Sequence, residues 1–338
     1  RRHIYTGMKI VYFAHSLLSR GGDKMVLAHA GWLAAHGHDV ELCCNVVDTV
    51  FLIPQEVRVT RPFLPGMMGT ILSALLQRKD ADIVIASIIP MACFLFPRSG
   101  GQVVYFAQGY DAFYHQNPLY RFFIRCLYLV GLTVLRIPVI AVSQELARVL
   151  RKWPGARVEV IQNGVDATVF YADKCAELIK TKASRKAILL LSRHDECKGF
   201  DVALRIIDKL RFLLNGTFEV WTVGEPCTGK LPFCIHRDFG YVKADRLRQI
   251  ISSADAFLYP SRVEGFPLMV LEAFACECPV VTTEAVPYAK HLHNAMVSKI
   301  EDVDSLSRQV CLVLTDQDLS ARLVAEGTAY ARRFSLSE

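Results

Sequence analysis

Short apolar runs alternate with segments of helical periodicity along the chain, and this alternation restricts the possible folds more than any other feature. A run at residues 9–14 is followed by a glycine-containing loop, a helical pattern over 24–36 and a second apolar run at 39–44. A strand, a helix and another strand in this order predict a parallel pair, because parallel strands need a crossover connection. Further strands are predicted at 83–86, 103–107, 139–142 and 158–161. The first half of the chain therefore predicts a parallel sheet.

The same alternation begins again after a polar stretch at residues 173–185. The second series consists of predicted strands at 187–191, 218–223, 256–259 and 279–282, and of predicted helices at 200–214, 245–253 and 268–275. Two successive series predict an α/β fold of two doubly wound Rossmann-like domains, residues 1–170 and 171–338. We expect the domains to face each other across a cleft lined by the carboxyl ends of their strands, where such folds bind ligands.

The positive charge of the chain is confined to its first half. Residues 1–170 contain 17 Lys and Arg against 11 Asp and Glu, whereas residues 171–338 contain 22 of each kind. A basic domain suits anionic lipid, a phosphorylated acceptor or nucleic acid, but no signature of a nucleic-acid-binding module accompanies it. We therefore predict no nucleic-acid partner, and we consider peripheral contact of the N-terminal domain with an anionic membrane. No apolar run reaches the roughly 18 residues of a membrane-spanning helix.

The eleven cysteines lack the C-x-x-C spacing of zinc and redox sites. They are predicted to be small core residues of a protein in the reducing cytoplasm. The run His194-Asp195-Glu196-Cys197 fits no standard zinc motif, so no metal site is predicted. Residues 1–7 are interpreted either as a leader or as residues added to the natural sequence, because Met8-Lys9-Ile10 is typical of a natural start.

The segment from Glu264 to Glu272 carries the strongest functional signal. It follows the predicted strand at 256–259, and Pro267 favours the first turn of the predicted helix at 268–275. Glu264 is thus expected on a loop and Glu272 about one turn into the helix. Two carboxylates placed in this way suit the hydroxyls of a polyol, and the free amides at a helix start suit an anion. A nucleotide sugar combines both groups.

Two basic residues, Arg193 and Lys198, lie in the loop after the predicted strand at 187–191. An Arg offers a planar fork to phosphate oxygens and a Lys offers a point charge, which together bind a diphosphate without a metal ion. Basic loop residues are also common on solvated surfaces, but these two are expected at the same sheet edge as Glu264. We therefore predict that they bind a diphosphate.

Three features of the first half leave two interpretations open. Gly21-Gly22 lets the backbone approach a ligand or makes an ordinary turn, and it lacks the G-x-G-x-x-G pattern of a nicotinamide site. Tyr110-Asp111 and the aromatic residues after them form either an acceptor-binding loop or a packed aromatic loop. Residues 119–135 combine arginines with apolar residues, which predicts either an interfacial helix or, as the favoured interpretation, a buried connecting helix.

Taken together, these motifs resemble the family 4 retaining glycosyltransferases of the GT-B fold over nearly the whole chain, from about Lys9 to Phe334. The resemblance rests on the E-x(7)-E segment and on Gly21-Gly22, Ala141-Val142-Ser143, Asn163-Gly164-Val165-Asp166, Arg193 with Lys198-Gly199, and Ala254-Asp255. It implies transfer of a sugar from a nucleotide diphosphate donor, with retention of configuration and without a required metal or other cofactor.

The resemblance also implies roles for individual residues. Arg193 and Lys198 neutralise the diphosphate, Glu264 lies beside the donor sugar, and Glu272 holds the ribose hydroxyls. The predicted catalytic residues are Glu264, Arg193, Lys198, Gln108 and Asp111. The predicted donor-binding residues are Gly21, Gly22, Arg193, Lys198, Phe266, Pro267, Leu268 and Glu272.

The sequence departs from the family pattern at several positions. Gln108 stands where many members carry a His, and a Gln side chain is not a general acid or base. Glu277 replaces a common Gly, and Val286-Pro287-Tyr288 replaces a glycine-rich turn. Because the sequence stops at Glu338, we expect the last helix of the family, which packs back on the N-terminal domain, to be largely missing.

These observations predict a cytoplasmic retaining glycosyltransferase, with the inner face of the membrane as a further expected location. Its acceptor is expected to be a glycan or a lipid-linked molecule in the synthesis of surface polysaccharide or glycolipid. One alternative is a nucleotide-sugar epimerase of the same fold. Another is a catalytically silent partner subunit that binds sugar nucleotides, an interpretation that Gln108 leaves open.

Overall fold

A computed structural model describes residues 7–76, 80–99, 102–215, 217–227, 231 and 234–334, in two compact units that divide between Gln162 and Asn163. This division lies close to the predicted boundary between residues 170 and 171. The predicted leader lies outside the described residues except for Gly7.

The first unit contains a sheet of seven parallel strands. The strands are β1 (Lys9–Leu18), β2 (Asp39–Asp48), β3 (Arg58–Thr60), β4 (Ile83–Ala86), β5 (Gln102–Ala107), β6 (Val139–Ala141) and β7 (Val158–Val160). The helices of its described part are α1 (Gly21–Ala35), α2 (Gly66–Leu76), α3 (Ile89–Leu95), α4 (Pro118–Tyr128) and α5 (Gln144–Leu150), with a 3-10 turn at Asp111–Tyr114 and a π-helical turn at Leu129–Val134. Every strand predicted in this half is present.

The second unit contains a sheet of six parallel strands. They are β8 (Lys186–Ser192), β9 (Phe218–Gly224), β10 (Ile235–Asp238), β11 (Ala256–Tyr259), β12 (Val280–Thr283) and β13 (Met296–Ser298). The helices of its described part are α6 (Ala176–Lys182), α7 (Phe200–Leu213), α8 (Ala244–Ser253), α9 (Leu268–Ala275), α10 (Val303–Thr315) and α11 (Gln317–Arg332), and Glu196–Lys198 forms a 3-10 turn. The bounds of β11 and α9 are those predicted from the sequence.

The apolar strands are buried on both faces, as a parallel sheet covered by helices requires. All seven residues of β9 are buried, and Ile206, Ile207 and Leu210 of α7 pack on this sheet with no exposed surface. In the same unit, α11 packs against α9 through Gly327. A Cβ atom at that glycine would lie 2.8 Å from the Phe274 ring, so the small residue permits the close helix packing.

The order of the strands fixes where a ligand can bind in each sheet. The first sheet has the order β3-β2-β1-β4-β5-β6-β7 and the second has the order β10-β9-β8-β11-β12-β13. In each sheet, successive strands are added on one side of the first strand and then on its other side. The change of side lies between β1 and β4 in the first sheet and between β8 and β11 in the second. In open parallel sheets the crevice at such a reversal, at the carboxyl ends of the strands, is the usual binding site. The two sheets are the predicted Rossmann-like sheets.

The glycine pair after β1 does not lie in a loop, which corrects the prediction. Strand β1 extends to Leu18 because it pairs with β2 as far as Asp48, and Gly21 and Gly22 are the first two residues of α1. Asp23 Oδ2 accepts a hydrogen bond of 2.9 Å from the Leu18 N–H. This bond joins the strand end to the first turn of the helix and leaves almost no loop between them.

The segment predicted as one helix over 119–135 is helical, but it changes from α4 to the π-helical turn at residue 129. A Cβ atom at Gly131 would lie 2.9 Å from Ile89 Cδ1 and 3.0 Å from Cys93 Sγ, so the π-helical turn packs closely on α3. The favoured interpretation as a buried helix is wrong, because only Ile124 and Tyr128 of α4 are buried.

Candidate active site

The predicted donor-binding residues of the second unit lie where its strand order reverses. Arg193 and Lys198 follow β8, while Glu264 and the start of α9 follow β11. Since β8 and β11 are neighbours in the sheet, the two loops leave the same edge side by side. This is the position at which a doubly wound fold binds its ligand.

Backbone hydrogen bonds tie these two loops together. The carbonyl of Cys197 accepts bonds of 2.8 Å from the Arg262 N–H and 3.4 Å from the Val263 N–H. The Arg262 guanidinium also donates to the Glu196 carbonyl at 2.5 Å and to both carboxylate oxygens of Asp201 at 2.8 and 2.7 Å. The site is therefore built on a loop pair that is fixed at several points.

Lys198 and Glu264 form an ion pair at the centre of the site. The Lys198 Nζ atom lies 2.9 Å from each carboxylate oxygen of Glu264. Glu264 Oε1 also lies 2.6 Å from the hydroxyls of Tyr259 and Ser261, and its side chain is only 4% exposed. These partners hold the carboxylate and the ammonium in fixed positions before any ligand binds.

Gly199, the residue after Lys198, is required by two features of the loop. Its φ of +66° lies in the left-handed region, and a Cβ atom would lie 2.0 Å from the carbonyl oxygen of Pro260. Because only glycine avoids both penalties, the backbone approaches the β11 loop closely at this point. This approach places Lys198 against Glu264.

The start of α9 supplies the other half of the site. Pro267 is the N-cap residue, and no side chain of the described ranges caps the helix start. The hydroxyl of Tyr288 donates a hydrogen bond to the Pro267 carbonyl, and the Tyr288 ring lies 4.7 Å from that of Phe266. The backbone N–H groups of Phe266 and Leu268 are thereby held at a helix start, where such groups favour an anion. Pro267 between them has no N–H. Glu272 lies one turn further along α9 and is buried.

Arg193 is at the predicted edge, but its contacts differ from those expected. Its Nε atom lies 3.5 Å from Glu225 Oε1, and its Nη1 atom lies 3.4 Å from the hydroxyl of Tyr241. The backbone N–H of His194 also donates to Glu225. Sequence reasoning missed Glu225, Tyr259, Ser261 and Tyr288. A signal was present for Glu225, since it directly follows β9, whose carboxyl end lies at the same sheet edge.

The residues 194–197 that were considered as a metal motif are not arranged as one. In the described part of the chain, no group of three or more His, Cys, Asp and Glu side chains is placed to hold a metal ion. His194 instead pairs with Glu225, and Asp195 accepts a bond of 3.0 Å from the Cys197 N–H within the 3-10 turn. These contacts shape the loop that carries Lys198.

In the first unit the structure brings Gln108 and the glycine pair together. The Gln108 side chain donates a hydrogen bond of 3.0 Å to the Gly22 carbonyl, and a Cβ atom at Gly22 would lie 2.1 Å from Gln108 Oε1. A side chain at position 22 would therefore displace the Gln108 amide from the start of α1. Strands β1 and β5, which precede these residues, end at the same sheet edge.

Asp111 anchors several elements of the first unit. Its Oδ2 atom accepts a bond of 2.7 Å from the Ile89 N–H at the start of α3 and lies 3.3 Å from the Tyr105 hydroxyl. The backbone N–H of Asp111 donates to the Tyr128 hydroxyl at 3.0 Å. Burial raises the pKa of the Asp111 carboxyl to about 7, although hydrogen bonds from these partners act in the opposite direction. All of these contacts are with the protein, so the catalytic role of Asp111 stays a prediction.

The raised pKa predicts a pH-dependent stability. Below about pH 4 Asp111 is protonated in both the folded and the unfolded chain, and between about pH 4 and 7 it is protonated only in the folded chain. The stabilisation that the protonated Asp111 carboxyl gives to the folded chain is therefore lost as the pH rises to about 7. Asp111→Asn should remove this loss, which we expect to be on the order of 1–3 kcal/mol between about pH 5 and 8. Urea denaturation at a series of pH values measures it.

Asp201→Asn is the matched control, because hydrogen bonds from Arg262 lower the pKa of Asp201. This residue is ionised in both states over the same interval, so its replacement should leave the slope of stability against pH unchanged. The prediction is wrong if Asp111→Asn and the wild type lose stability equally as the pH rises.

Comparison with known proteins identifies the family. The model described as Glycosyltransferase Family 4 matches residues 19–169, and the model described as Glycosyl transferases group 1 matches residues 185–316. The chain belongs to glycosyltransferase family 4. The matches cover both loops of the candidate site, including Lys198 and Glu264.

Individual relatives of this family 4 glycosyltransferase match shorter parts of it. The O-antigen chain mannosyltransferase B of Escherichia coli is 35% identical over 100 residues, which are 29% of this chain and 26% of the relative. A Campylobacter jejuni enzyme, the N,N'-diacetylbacillosaminyl-diphospho-undecaprenol alpha-1,3-N-acetylgalactosaminyltransferase, is 27% identical over 155 residues, 44% of this chain and 40% of the relative. The matches thus span less than half of these relatives.

Solved structures share the fold over almost the whole length. The Anabaena protein HepE, crystallised with UDP and glucose, has a TM-score of 0.78 at 18% identity and covers 98% of this chain and 96% of its own. This similarity confirms the predicted GT-B architecture of two Rossmann-like domains.

None of the helices in the described residues is long and apolar enough to cross a membrane.

Proposed function

We propose that this family 4 glycosyltransferase moves a sugar from a nucleotide diphosphate donor, with retention of configuration and without a metal ion. The observation that carries the proposal is the Lys198–Glu264 pair, which lies beside the loop leading into the uncapped start of α9. A cation and a helix start are complementary to a diphosphate, and two carboxylates are complementary to sugar hydroxyls. A nucleotide sugar presents both groups in one molecule.

Lys198 is proposed to stabilise the diphosphate leaving group. An ammonium has three N–H donors, so Lys198 can contact both Glu264 and a phosphate oxygen. As the bond between the sugar and the phosphate breaks, negative charge builds up on the leaving oxygen. A fixed cation and fixed backbone amides stabilise this charge more than that of the ground state, and such interactions accelerate the reaction. These groups supply the positive charge that a divalent cation supplies in other enzymes.

Glu264 and Glu272 are proposed to orient the donor. Glu264 is aligned by Tyr259 and Ser261, so its position beside the sugar is set before binding. Glu272 is buried one turn into α9, in a suitable place for the ribose hydroxyls. Carboxylates that accept hydrogen bonds from hydroxyls lock the geometry of the reacting carbon, which lowers the entropic cost of reaching the transition state.

The relatives support a donor and an acceptor class to test first. One related structure was solved with UDP and glucose, so we propose a uridine diphosphate sugar as donor. Two relatives are named for an O-antigen chain and for a diphospho-undecaprenol acceptor, so we propose a glycan or lipid-linked acceptor in surface polysaccharide or glycolipid synthesis. The reaction is proposed to take place in the cytoplasm.

A thermal-shift screen against UDP-, GDP- and ADP-sugars tests the proposed donor site. Ligand at about 100 times its Kd stabilises the folded state by about 2.7 kcal/mol, so the correct donor should raise the Tm by several degrees. The donor that gives the largest shift is then incubated with the protein, and its anomeric proton is followed by NMR. The expected result is slow release of sugar with the anomeric configuration of the donor.

Other outcomes separate the alternatives. Conversion of the donor to a different nucleotide sugar without any acceptor indicates an epimerase. Binding of a donor with no turnover, in the presence of candidate acceptors, indicates a silent subunit. The absence of any shift across the panel contradicts the proposed donor site.

A further inference from the structure

Helix α4 carries several large apolar side chains that are exposed to solvent. It buries Ile124 and Tyr128, which are four residues apart and therefore lie on one side of the helix. On the remaining sides Leu119 is 79% exposed, Phe122 is 68% exposed and Phe123 is 48% exposed. Side chains of this size gain about 1.5–3 kcal/mol each when they leave water, so this surface favours a partner.

The exposed apolar surface continues through the π-helical turn that follows. Gly131 and Leu132 of this turn are buried, and they fix it to α3, whereas Leu129, Val130 and Val134 are 47%, 40% and 69% exposed. Large apolar side chains are therefore exposed from residue 119 to residue 134. Contiguous apolar surfaces of this kind mark sites of interaction with a protein or a membrane.

The charge of this region is of one sign. Residues 112–144 contain no Asp and no Glu, whereas they contain Arg121, Arg125 and Arg136. Arg125 and Arg136 are exposed, and Arg121 is half-buried. Long arginine side chains can cover apolar surface with their stems while the charged end stays at the water interface, and the Arg125 guanidinium also forms a hydrogen bond with the Tyr110 side chain. The surface thus combines apolar groups with positive charge and carries no negative charge.

We propose that this surface, residues 119–136, docks on an anionic membrane with α4 lying in the plane of the interface. Phe122, Leu119 and Val134 enter the boundary between headgroups and acyl chains, and Arg121 and Arg125 contact lipid phosphates. The docking deepens the proposed function, since it brings the first unit to the surface that holds a lipid-linked acceptor. We call residues 119–136 the membrane-docking surface.

The chemistry of the surface favours a membrane over a protein partner. A bilayer interface accepts apolar side chains from one face of a helix without matching their shape, and it attracts arginines through its negative surface potential. Tyr120, which is 44% exposed, has the ring and hydroxyl that suit the depth of the headgroups. A protein interface would be expected to include acidic or amide groups at its rim, and residues 119–136 contain none.

Flotation with lipid vesicles tests the proposal, in the absence of any nucleotide sugar. The wild type should bind vesicles of phosphatidylcholine mixed with phosphatidylglycerol more strongly than vesicles of phosphatidylcholine alone. The double variant Leu119→Ser/Phe122→Ser should bind the anionic vesicles at least about tenfold more weakly, because two inserting side chains are lost. The double variant Arg121→Gln/Arg125→Gln should lose the preference for anionic lipid, by about fivefold for each arginine.

Phe212→Ser is the matched control. Phe212 lies on α7 in the second unit and is 67% exposed. The Arg211 guanidinium lies 4.4 Å from its ring. Phe212 is therefore an exposed apolar residue beside an arginine, but it lies outside the docking surface. This variant should bind vesicles as the wild type does. The serine variants should keep the wild-type Tm, since Leu119, Phe122 and Phe212 are exposed, and the Tm of Arg121→Gln/Arg125→Gln is measured to show that it is folded.

Two results would overturn the proposal. One is a wild type that does not bind anionic vesicles, or that binds them no better than Leu119→Ser/Phe122→Ser. The other is a change of oligomeric state in that variant with unchanged vesicle binding, which assigns the surface to a protein contact. The donor-induced Tm shift of the same variants is measured separately. A failure of vesicle binding therefore contradicts the docking proposal and does not contradict the donor site. A failure of donor binding contradicts the donor site and does not contradict the docking proposal.

Discussion

Replacement of Lys198 by Gln is expected to lower the rate of sugar transfer by about 10²- to 10³-fold, the usual effect of removing one group that stabilises developing charge. Gln keeps an N–H donor for Glu264 but removes the positive charge. The loss should therefore appear in the turnover number, measured as release of nucleoside diphosphate, and only slightly in the Tm. Lys198→Ala is a less suitable variant, because it removes the N–H donor to the buried carboxylate of Glu264 as well as the positive charge.

Lys209→Gln is the control for this experiment. Lys209 lies on α7 in the same unit and forms an ion pair with Asp304, but both side chains are substantially exposed and neither lies in the β8 or β11 loop. Its replacement should leave turnover within about twofold of the wild type, because exposed ion pairs contribute little. Equal turnover in Lys198→Gln and Lys209→Gln contradicts the assigned role of Lys198.

Replacement of Gly199 by Ala is expected to have the largest effect on stability. The variant combines a left-handed backbone with a Cβ atom 2.0 Å from the Pro260 carbonyl oxygen, and the contact is with backbone that cannot rotate away. We expect the free energy of unfolding to fall by about 2–4 kcal/mol, since strained backbone and overpacking each cost about 1–3 kcal/mol. Urea denaturation measures the change. Donor binding should also be lost, because the loop that carries Lys198 must move.

Gly240→Ala separates the two causes. Gly240 has nearly the same φ, +61°, but a Cβ atom there would have no neighbour within 4 Å. Its replacement should cost only the strain of the left-handed conformation, about 1–2 kcal/mol. If both variants lose the same stability, the close approach between Gly199 and Pro260 does not constrain the loop pair.

Much of the fold could be predicted from the sequence because its signals are local. The bounds of β11 and α9 are those predicted, since an apolar run, a proline and a series of good helix formers are all contained in residues 256–275. The end of β1 could not be predicted in the same way. It is set by pairing with β2 up to Leu18 and Asp48, and no pattern in residues 15–18 reveals that partner.

The candidate site was predictable in its main residues and not in their contacts. The β8 and β11 loops were expected at one edge, since parallel strands end together. The bonds of Glu264 to Tyr259 and Ser261, and the pairing of Arg193 with Glu225, depend on side-chain directions that the sequence does not specify. Gln108 and Gly22 are 86 residues apart, so their contact follows from the sheet order and not from a motif.

The exposure of α4 was also beyond sequence reasoning. Helical periodicity shows that one stripe of a helix is apolar, but α4 has apolar residues on several sides. Which of them are buried depends on the neighbouring elements: the Tyr128 ring stacks on Tyr110 at 4.5 Å, and Cys93 of α3 lies 3.4 Å from the Leu127 carbonyl. The sequence thus left an interfacial and a buried helix as alternatives, and the packing decided against the buried one.

The central claim is that the Lys198–Glu264 pair binds a nucleotide sugar, with Lys198 on its diphosphate and Glu264 beside its sugar. The most direct test is the Tm shift produced by the donor selected in the screen, measured at one concentration for the wild type, Lys198→Gln and Lys209→Gln. We predict equal shifts for the wild type and Lys209→Gln, and a much smaller shift or none for Lys198→Gln, because stabilisation by a ligand follows its affinity. Equal shifts for all three proteins would contradict the claim.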